Sequence, residues 1–539
     1  MVPRTQMPIA LLAALLLSAC GAGETAETEE PGTGTEDEGM NEEAPDDPGD
    51  DVDDVDDDDA DEGEATDDAE ATDDAEVTIG FAAEPASLDF TTTDGAAIPE
   101  ALLVNLYEGL VKVDQDGEIV PLLAESYEVS EDGLTYDFHL HPDVTFSNGD
   151  PFDADAVQFS IERVAGDEWT IGLASAMDVV DEVEVVDPTH ARVTLEEPSN
   201  RWLFDMTTRV GAMFSPGGVD DLANEAVGTG PYEVTEWIRG DRIVFGHHED
   251  YWGDLPDFET VTFRYFNDAN ATNNALLSGD IDVIGTVQAP EALAQFEDER
   301  FTIIEGTSNG QVVLSFNNAS DALSDLRVRQ AIRHAIDRQA VMDTAWGGYG
   351  TLIGGMVPPH DPWYEDLTDL YPYDPDRAQE LLAEADATGL ELDFRIPNLP
   401  YAVNAAQTVQ SQLEQVGITA EIDVLEFPAR WLEEVFNGHD YDLSIINHVE
   451  PRDLTSFGDP DFYWRYDNPE VQDLFAEADR SDPETHVELM REASRIISSD
   501  AASDWLFLAP NLIIVDEGVE GVPENRVGEA FDLTVLRRS

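Results

Sequence analysis

The 539-residue chain contains one cysteine, Cys20, and one lysine, Lys112. A single thiol excludes any intramolecular disulfide, so stability must come from a large core rather than from staples. The lone lysine follows Val111, which excludes a Walker loop, where lysine must follow glycine. Positive charge is scarce throughout: 25 Lys and Arg stand against 119 Asp and Glu, a formal net charge of −94. A phosphate backbone demands a basic patch, and without one nucleic acid is excluded as a partner. Enzyme signatures are also missing. There is no G-x-G-x-x-G after a strand. His247-His248-Glu249 lacks the second histidine, at helical spacing, of a zinc protease. Carboxylate pairs are too common in this chain for any one of them to signal a glycosidase. His139 and His141 share one face of an expected strand, where such a pair either grips a metal edge-on or is a surface feature. The balance favours binding over catalysis, with no catalytic residue, cofactor or metal assigned.

What is present begins with a short leader. Arg4 is followed by the apolar segment Ile9 to Leu17 and then by Leu17-Ser18-Ala19-Cys20. That segment cannot span a bilayer, which needs roughly 20 residues, and no later run combines the length and apolarity of a span. It reads as a secretory signal over residues 1–20, and its cysteine resembles the bacterial lipoprotein box, which implies lipidation of Cys20. An ordinary signal peptide with an incidental cysteine is the alternative. Residues 21–76 then hold 28 Asp and Glu, no Lys or Arg, and a tandem repeat, ATDDAE at Ala65 to Glu70 and at Ala71 to Glu76. Such a segment cannot bury enough surface to offset chain entropy, so a disordered acidic tether is expected, roughly 190 Å long at full stretch. A calcium-binding tract would need the Gly and Glu spacing of an EF-hand loop, which is missing.

The remaining residues carry 91 acidic and 24 basic side chains, a net charge of −67. Self-repulsion of that size is tolerable where salt screens it. Acidic surplus with lysine depletion points to saline surroundings, a statement about solubility rather than function.

About 460 residues suffice for two or three domains. Alternating strands are expected at Val77 to Ala82, Tyr136 to Leu140 and Val144 to Phe146, and in hairpins at Val179 to Val186 with Ala191 to Leu195 and Tyr232 to Trp237 with Ile243 to His247. Helical spacing marks Ile98 to Leu110, Asp155 to Val164, Ala269 to Ser278, Val328 to Ala340, Asp376 to Ala385, Ala402 to Val416 and Ala429 to Asn437. Further strands fall at Val261 to Phe266, Ile281 to Ile284, Val312 to Phe316, Leu392 to Ile396, Ala420 to Val424 and Leu443 to Ile446. This β-α-β grammar predicts an α/β protein with a parallel or mixed sheet. No repeat of 20 to 50 residues points to a solenoid or propeller.

Several local sequences together resemble one family, the extracytoplasmic solute-binding proteins of ABC importers of the dipeptide, oligopeptide and nickel class. Glu84-Pro85-Ala86-Ser87-Leu88-Asp89 is similar to its P-x-S-L-D-P opening, with Phe90 in place of the last proline. Tyr107-Glu108-Gly109-Leu110-Val111 comes next, then the stretch from Pro121 to Arg163, Gly228 to Trp237, Gly279 to Val283, Asp325 to Ile332 with Ala335-Ile336-Asp337-Arg338, and Tyr373-Asp374-Pro375-Asp376. Each has a structural job of its own. Gly109, Gly133, Gly149 and Gly230 suit turns with unusual backbone angles, Asp325 caps a helix, and Arg329 and Arg338 are expected in ion pairs.

The resemblance implies a two-lobed periplasmic-binding-protein fold with an extra inserted domain, closing on its ligand by hinge motion. Lobe one would comprise residues 77–104, 220–310 and 509–539, the insert 105–219, and lobe two 311–508, with the hinge near Gly310 and Ala509. In peptide-binding relatives an acidic residue after a strand takes the α-ammonium. The corresponding stretch here is Asn447 to Leu454, which implies Glu450 as ammonium partner, Arg452 as carboxylate or structural partner and Asp453 as support. Trp346, Trp363, Trp431, Tyr463 and Trp464 are candidate pocket walls or core. The implied protein is a monomeric receptor, held to the membrane through Cys20, that delivers a peptide or peptide-like small solute to the importer's membrane subunits. A nickel chelate or oligosaccharide on the same scaffold, and an extracellular hydrolase, are the alternatives.

Overall fold

The computed structural model describes residues 76–539. The expectations for Cys20, the signal segment and the tether up to residue 75 lie outside the described residues.

Three larger sheets organise the chain. The first has seven strands in the order Phe301–Gly306, Asn511–Asp516, Val283–Ile284, Glu76–Phe81, Thr260–Tyr265, Arg242–His247 and Tyr232–Ile238. Glu76–Phe81 runs parallel to both neighbours and the other pairs are antiparallel. The second has five strands, Thr419–Leu425, Glu391–Pro397, Leu443–His448, Gln311–Phe316 and Ser503–Leu508, and is likewise mixed. The third is a four-stranded antiparallel sheet of Ala124–Val129, Thr135–Leu140, His190–Leu195 and Val180–Asp187.

The apolar cores group these sheets into two bodies. One core runs without a break from the first sheet, through Val77, Ile79 and Ile513, into the four-stranded sheet at Phe138 and Val193. A separate core lies wholly between Val312 and Ala509. The first body therefore combines two sheets, and the second is built on the five-stranded sheet alone. A sheet face that shares its apolar side chains with a neighbour cannot move independently without exposing them to water.

The chain passes between the bodies twice. Phe301–Gly306 continues through residues 307–310 into Gln311–Phe316, and Ser503–Leu508 continues through Ala509-Pro510 into Asn511–Asp516. Every residue of the last three strands is buried, which is why they read as continuous apolar runs instead of alternating. The two passages are bonded together. The Ala509 N–H donates to the Gly310 carbonyl at 2.6 Å, and the Ser308 hydroxyl donates to the Ala509 carbonyl at 2.6 Å while accepting from the Gly310 N–H at 2.9 Å.

Several local expectations change in physical detail. The helix expected over Ile98 to Leu110 is confined to Ala97–Leu102, because Leu103 is extended and Val104 takes a left-handed φ of 65°. Leu106 and Leu110 are still buried, so the spacing reflected burial rather than helix. Val144 to Phe146 is one arm of a tight antiparallel loop, with a single Thr145–Pro151 bridge and the turn at Ser147 to Gly149. The helix expected over Val328 to Ala340 is two helices, Leu326–Ala335 and Arg338–Trp346, because Asp337 accepts the Ala340 N–H and starts a second one. Helices Pro469–Arg480 and Pro483–Ser499 were not anticipated. Each begins with an Asn or Asp cap and proline in its first turn, where a missing N–H costs nothing. Arg329 and Arg338 bind backbone carbonyls, of Asp500 and Leu323 and of Ile353 and Thr368, instead of ion-pairing. Gly133 and Gly149 do take positive φ, whereas Gly230 is required by a close approach: a Cβ there would lie 2.4 Å from the Asn105 carbonyl oxygen.

Candidate functional site

Strand Leu443–His448 ends beside the first residue of a crossing strand, with His448 paired to Gln311. The chain then loops through residues 449–452 before the short helical turn Asp453–Gly458. His448 is buried and held at both nitrogens: Nδ1 lies 2.9 Å from an Asp453 carboxylate oxygen, and Nε2 lies 2.8 Å from the Tyr463 hydroxyl. The first contact is a close approach rather than an aligned hydrogen bond. Tyr463 in turn meets the Ser315 hydroxyl at 2.6 Å. This buried line of Asp453, His448, Tyr463 and Ser315 ties the loop to the crossing strand beneath it through the His448–Tyr463 and Tyr463–Ser315 hydrogen bonds.

Arg452 adopts a left-handed φ of 57°, which directs its side chain to the seam between the bodies. Its guanidinium lies 3.8 Å from the ring centre of Phe204, in the first body, and 5.1 Å from that of Trp363 in the second. A desolvated cation between two aromatic faces is stabilised by their quadrupoles. Burial holds the Arg452 pKa below the usual range, opposed by the carboxylates of Asp361 and Asp205. Burial pushes the Asp361 carboxyl up to about 7, with Arg452 pulling it back. Next to it, burial pushes the His360 imidazole down to about 4, and the Arg452 charge adds to this. His360 Nε2 lies 2.8 Å from Asn309 Oδ1 in the crossing segment.

The first body contributes the facing groups. Phe204 and Asp205 end the helix Asn200–Asp205, and Arg209 opens the following turn. Arg209 is buried and bonded to Glu529 through Nε at 2.7 Å, through its own N–H at 2.7 Å, and through Nη2. Burial alone would lower its pKa, but Glu529, Asp94 and Glu450 together raise it. Glu450, half-buried in the second body, thus acts electrostatically on an arginine of the first. Around this seam and its floor, buried polar atoms have no hydrogen-bond partner within the protein: both ends of the Gln311 amide, Asn447 Oδ1, Arg452 Nε, Asp361 Oδ2 and Trp363 Nε1. Buried polar groups of this kind are normally satisfied.

The structure brings Glu450, Arg452, Asp453 and Trp363 into one neighbourhood. Tyr463, Trp464 and Trp431 lie beneath it, in the second core: Trp464 stacks on Phe457 at 4.3 Å, and the Trp431 indole N–H donates to Ser444. Trp346 stands apart, packed on Tyr401 and Phe507 and also touching the apolar cluster of Leu512 and Ile514 in the first body. His139 and His141 do not act as a pair, since His139 packs on His190 and His141 on Trp252. His448, Glu450 and Asp453 place ligand-type atoms within 4.8 Å of one another, yet both His448 nitrogens are already engaged. Sequence reasoning missed Phe204, Arg209, His360, Asp361 and His448. Scarcity of cations was the available signal, because a chain this acidic has few arginines to bury. A polar surface concavity of about 580 Å³, lined by Thr344, Asn404, Gln407, Thr408, Ser411, Gln412 and Gln415, involves none of these residues.

The model of the bacterial extracellular solute-binding proteins, family 5 Middle, matches residues 118–469. The glutathione-binding protein GsiB of Salmonella paratyphi A is 28% identical over 458 residues, covering 79% of this chain and 88% of that protein. Among solved structures, Brucella suis NikA in complex with Fe(III)-EDTA superposes with a TM-score of 0.77 at 23% identity, over 86% of this chain and 100% of its own. The Helicobacter pylori periplasmic binding protein DppA, in complex with the peptide STSA, gives 0.70 at 23% identity over 86% and 98%. These relatives are two-lobed binding proteins named for solutes, not for reactions, and this chain belongs to the bacterial extracellular solute-binding proteins of family 5.

Proposed function

We propose that the chain is the membrane-anchored substrate-binding component of an ABC importer and that it captures a peptide or peptide-like solute between its two bodies by hinge closure. One observation carries this reading. Charged groups of both signs, half-buried Arg452 and Glu450 with buried Arg209 and Asp361, meet at the seam between the bodies. Charges of opposite sign suit a zwitterion, whose ammonium Glu450 would take and whose carboxylate Arg452 would take. Trp363 would wall the site. Tyr463, Trp464, Trp431 and Asp453 would support it from below, and Trp346 would line the seam elsewhere. GsiB is named for glutathione, a small peptide with more than one carboxylate, which makes that class the first to try.

A metal chelate is the second reading, favoured by Arg452, whose guanidinium suits a chelator's carboxylates equally well. Mass spectrometry of the solute that co-purifies with natively expressed protein tests the proposal directly. Calorimetry with glutathione, a tripeptide pool, an oligosaccharide panel, and nickel with histidine then separates the readings; no heat from any peptide would exclude the peptide version. The described residues contain no helix long and apolar enough to cross a membrane. Attachment would rest on lipidated Cys20, and Cys20→Ser should move the protein from the membrane to the soluble fraction.

A further inference from the structure

A second contact joins the bodies away from the crossings. Helix Asn200–Asp205 of the first body meets the C-terminal end of helix Pro469–Arg480 of the second, and each supplies what the other's backbone lacks. Asp479 Oδ1 accepts from the Ser199 hydroxyl at 3.1 Å and from the Arg201 N–H at 3.0 Å. In return, the Asn200 amide Nδ2 donates to the carbonyls of Ala478 at 3.0 Å, Asp479 at 3.1 Å and Ser481 at 2.7 Å. The Ser199 hydroxyl works in both directions, because it also accepts the Trp202 N–H at 3.2 Å. Arg480 and Glu197 flank the contact at 3.0 Å. First-turn N–H groups and last-turn carbonyls have no partners within their own helix, so for the Arg201 N–H and the Asp479 carbonyl this contact satisfies on one body what the other leaves open, while the Ala478 carbonyl is also bonded to Ser481.

We propose that this reciprocal cap is a latch: it holds the two bodies closed, populates the closed form without any solute, and seats the lid over Arg452. Three features support the assignment. First, nothing covalent holds this contact, so it must break whenever the bodies part about the crossings. Second, Asn200 and Asp479 are half-buried, and polar groups near the surface are rehydrated on opening, which keeps the contact reversible. Third, the latched helix also carries Phe204, whose ring covers the Arg452 guanidinium. Docking its first residues therefore places Phe204, and release of the latch uncovers Arg452 at the same time. The donors and acceptors are mostly neutral amide, hydroxyl and carbonyl groups, so salt that screens the net charge of the protein leaves the latch intact.

The test needs no solute, so its outcome does not depend on the reading of the solute site. The full chain carrying Cys20→Ser receives nitroxide labels at two exposed positions, Glu182→Cys and Glu488→Cys, one on each body, and pulsed electron paramagnetic resonance measures the distance between them. A short-distance population is expected, and in Asn200→Ala and in Asp479→Ala the ratio of closed to open molecules falls about 10-fold. Thermal melting checks that both variants remain folded. The proposal is overturned by a parent protein with no short-distance population, or by one whose population both substitutions leave unchanged.

Discussion

The two contacts between the bodies are built from different materials. At the crossings, main chain joins them, and the bonds among Ser308, Gly310 and Ala509 belong to the backbone or to one short side chain. At the second contact, nearly every bond uses the side chain of Ser199, Asn200 or Asp479. The first cannot separate without unfolding strands, three of which are buried along their whole length. The second can separate at the cost of a few rehydrated groups. Relative motion of the proposed kind would therefore be rotation about the crossings, and it would cover and uncover the groups around Arg452. In the proposed receptor, rotation would expose the carboxylate and guanidinium to water periodically, so that they could accept a solute and give it up.

Four tests of this contrast rank from the largest effect downward. Trp431→Ala removes a fully buried indole from the second core and should cost about 3–5 kcal/mol of stability, read from urea midpoints; a much smaller loss would show that the second body does not move as a packed unit. Arg452→Ala should weaken solute binding by about 2–5 kcal/mol, with little effect on folding, when the co-purifying solute is titrated by calorimetry. The neighbouring pair His360 and Asp361 predicts a pH signature. Asp361 has a raised folded pKa, so its contribution is present below pH 4 and lost as pH rises toward about 7. His360 has a lowered one, so its contribution is present above about 6.5 and lost as pH falls toward about 4. The two slopes are opposite and largely cancel in the wild type. Asp361→Asn should unmask a loss of roughly 3 kcal/mol toward acid, and His360→Gln a similar loss toward neutral pH, in denaturant titrations from pH 4 to 7.5. Ser308→Ala removes one donor and one acceptor at the crossing and should lower stability by about 1–2 kcal/mol, with the closed fraction unchanged in distance measurements.

Much of the fold was legible locally. The cap at Asp325 and the helix Ala269–Ser278 depend on neighbours in sequence, and the sequence pattern located them. The loop carrying Glu450 and Arg452 was legible by family resemblance, from its position directly after a buried strand. What could not be read was juxtaposition. Phe204 reaches Arg452, and Arg209 acts on Glu450, only because two bodies formed by distant segments face each other. Helices Pro469–Arg480 and Pro483–Ser499 were missed although their caps are local. Apolar spacing also misled where burial and helix part company, as at Leu106 and Leu110, whose side chains are buried from a turn.

A solute seated at the charged seam must depend on Arg452 and be indifferent to the polar concavity on helix Pro400–Gln415. The decisive measurement is calorimetric titration of the co-purifying solute into wild type, Arg452→Ala and Thr408→Ala, the last altering that concavity. Affinity should fall at least about 30-fold for Arg452→Ala and stay unchanged for Thr408→Ala. Equal affinity in wild type and Arg452→Ala would contradict a solute site at the seam.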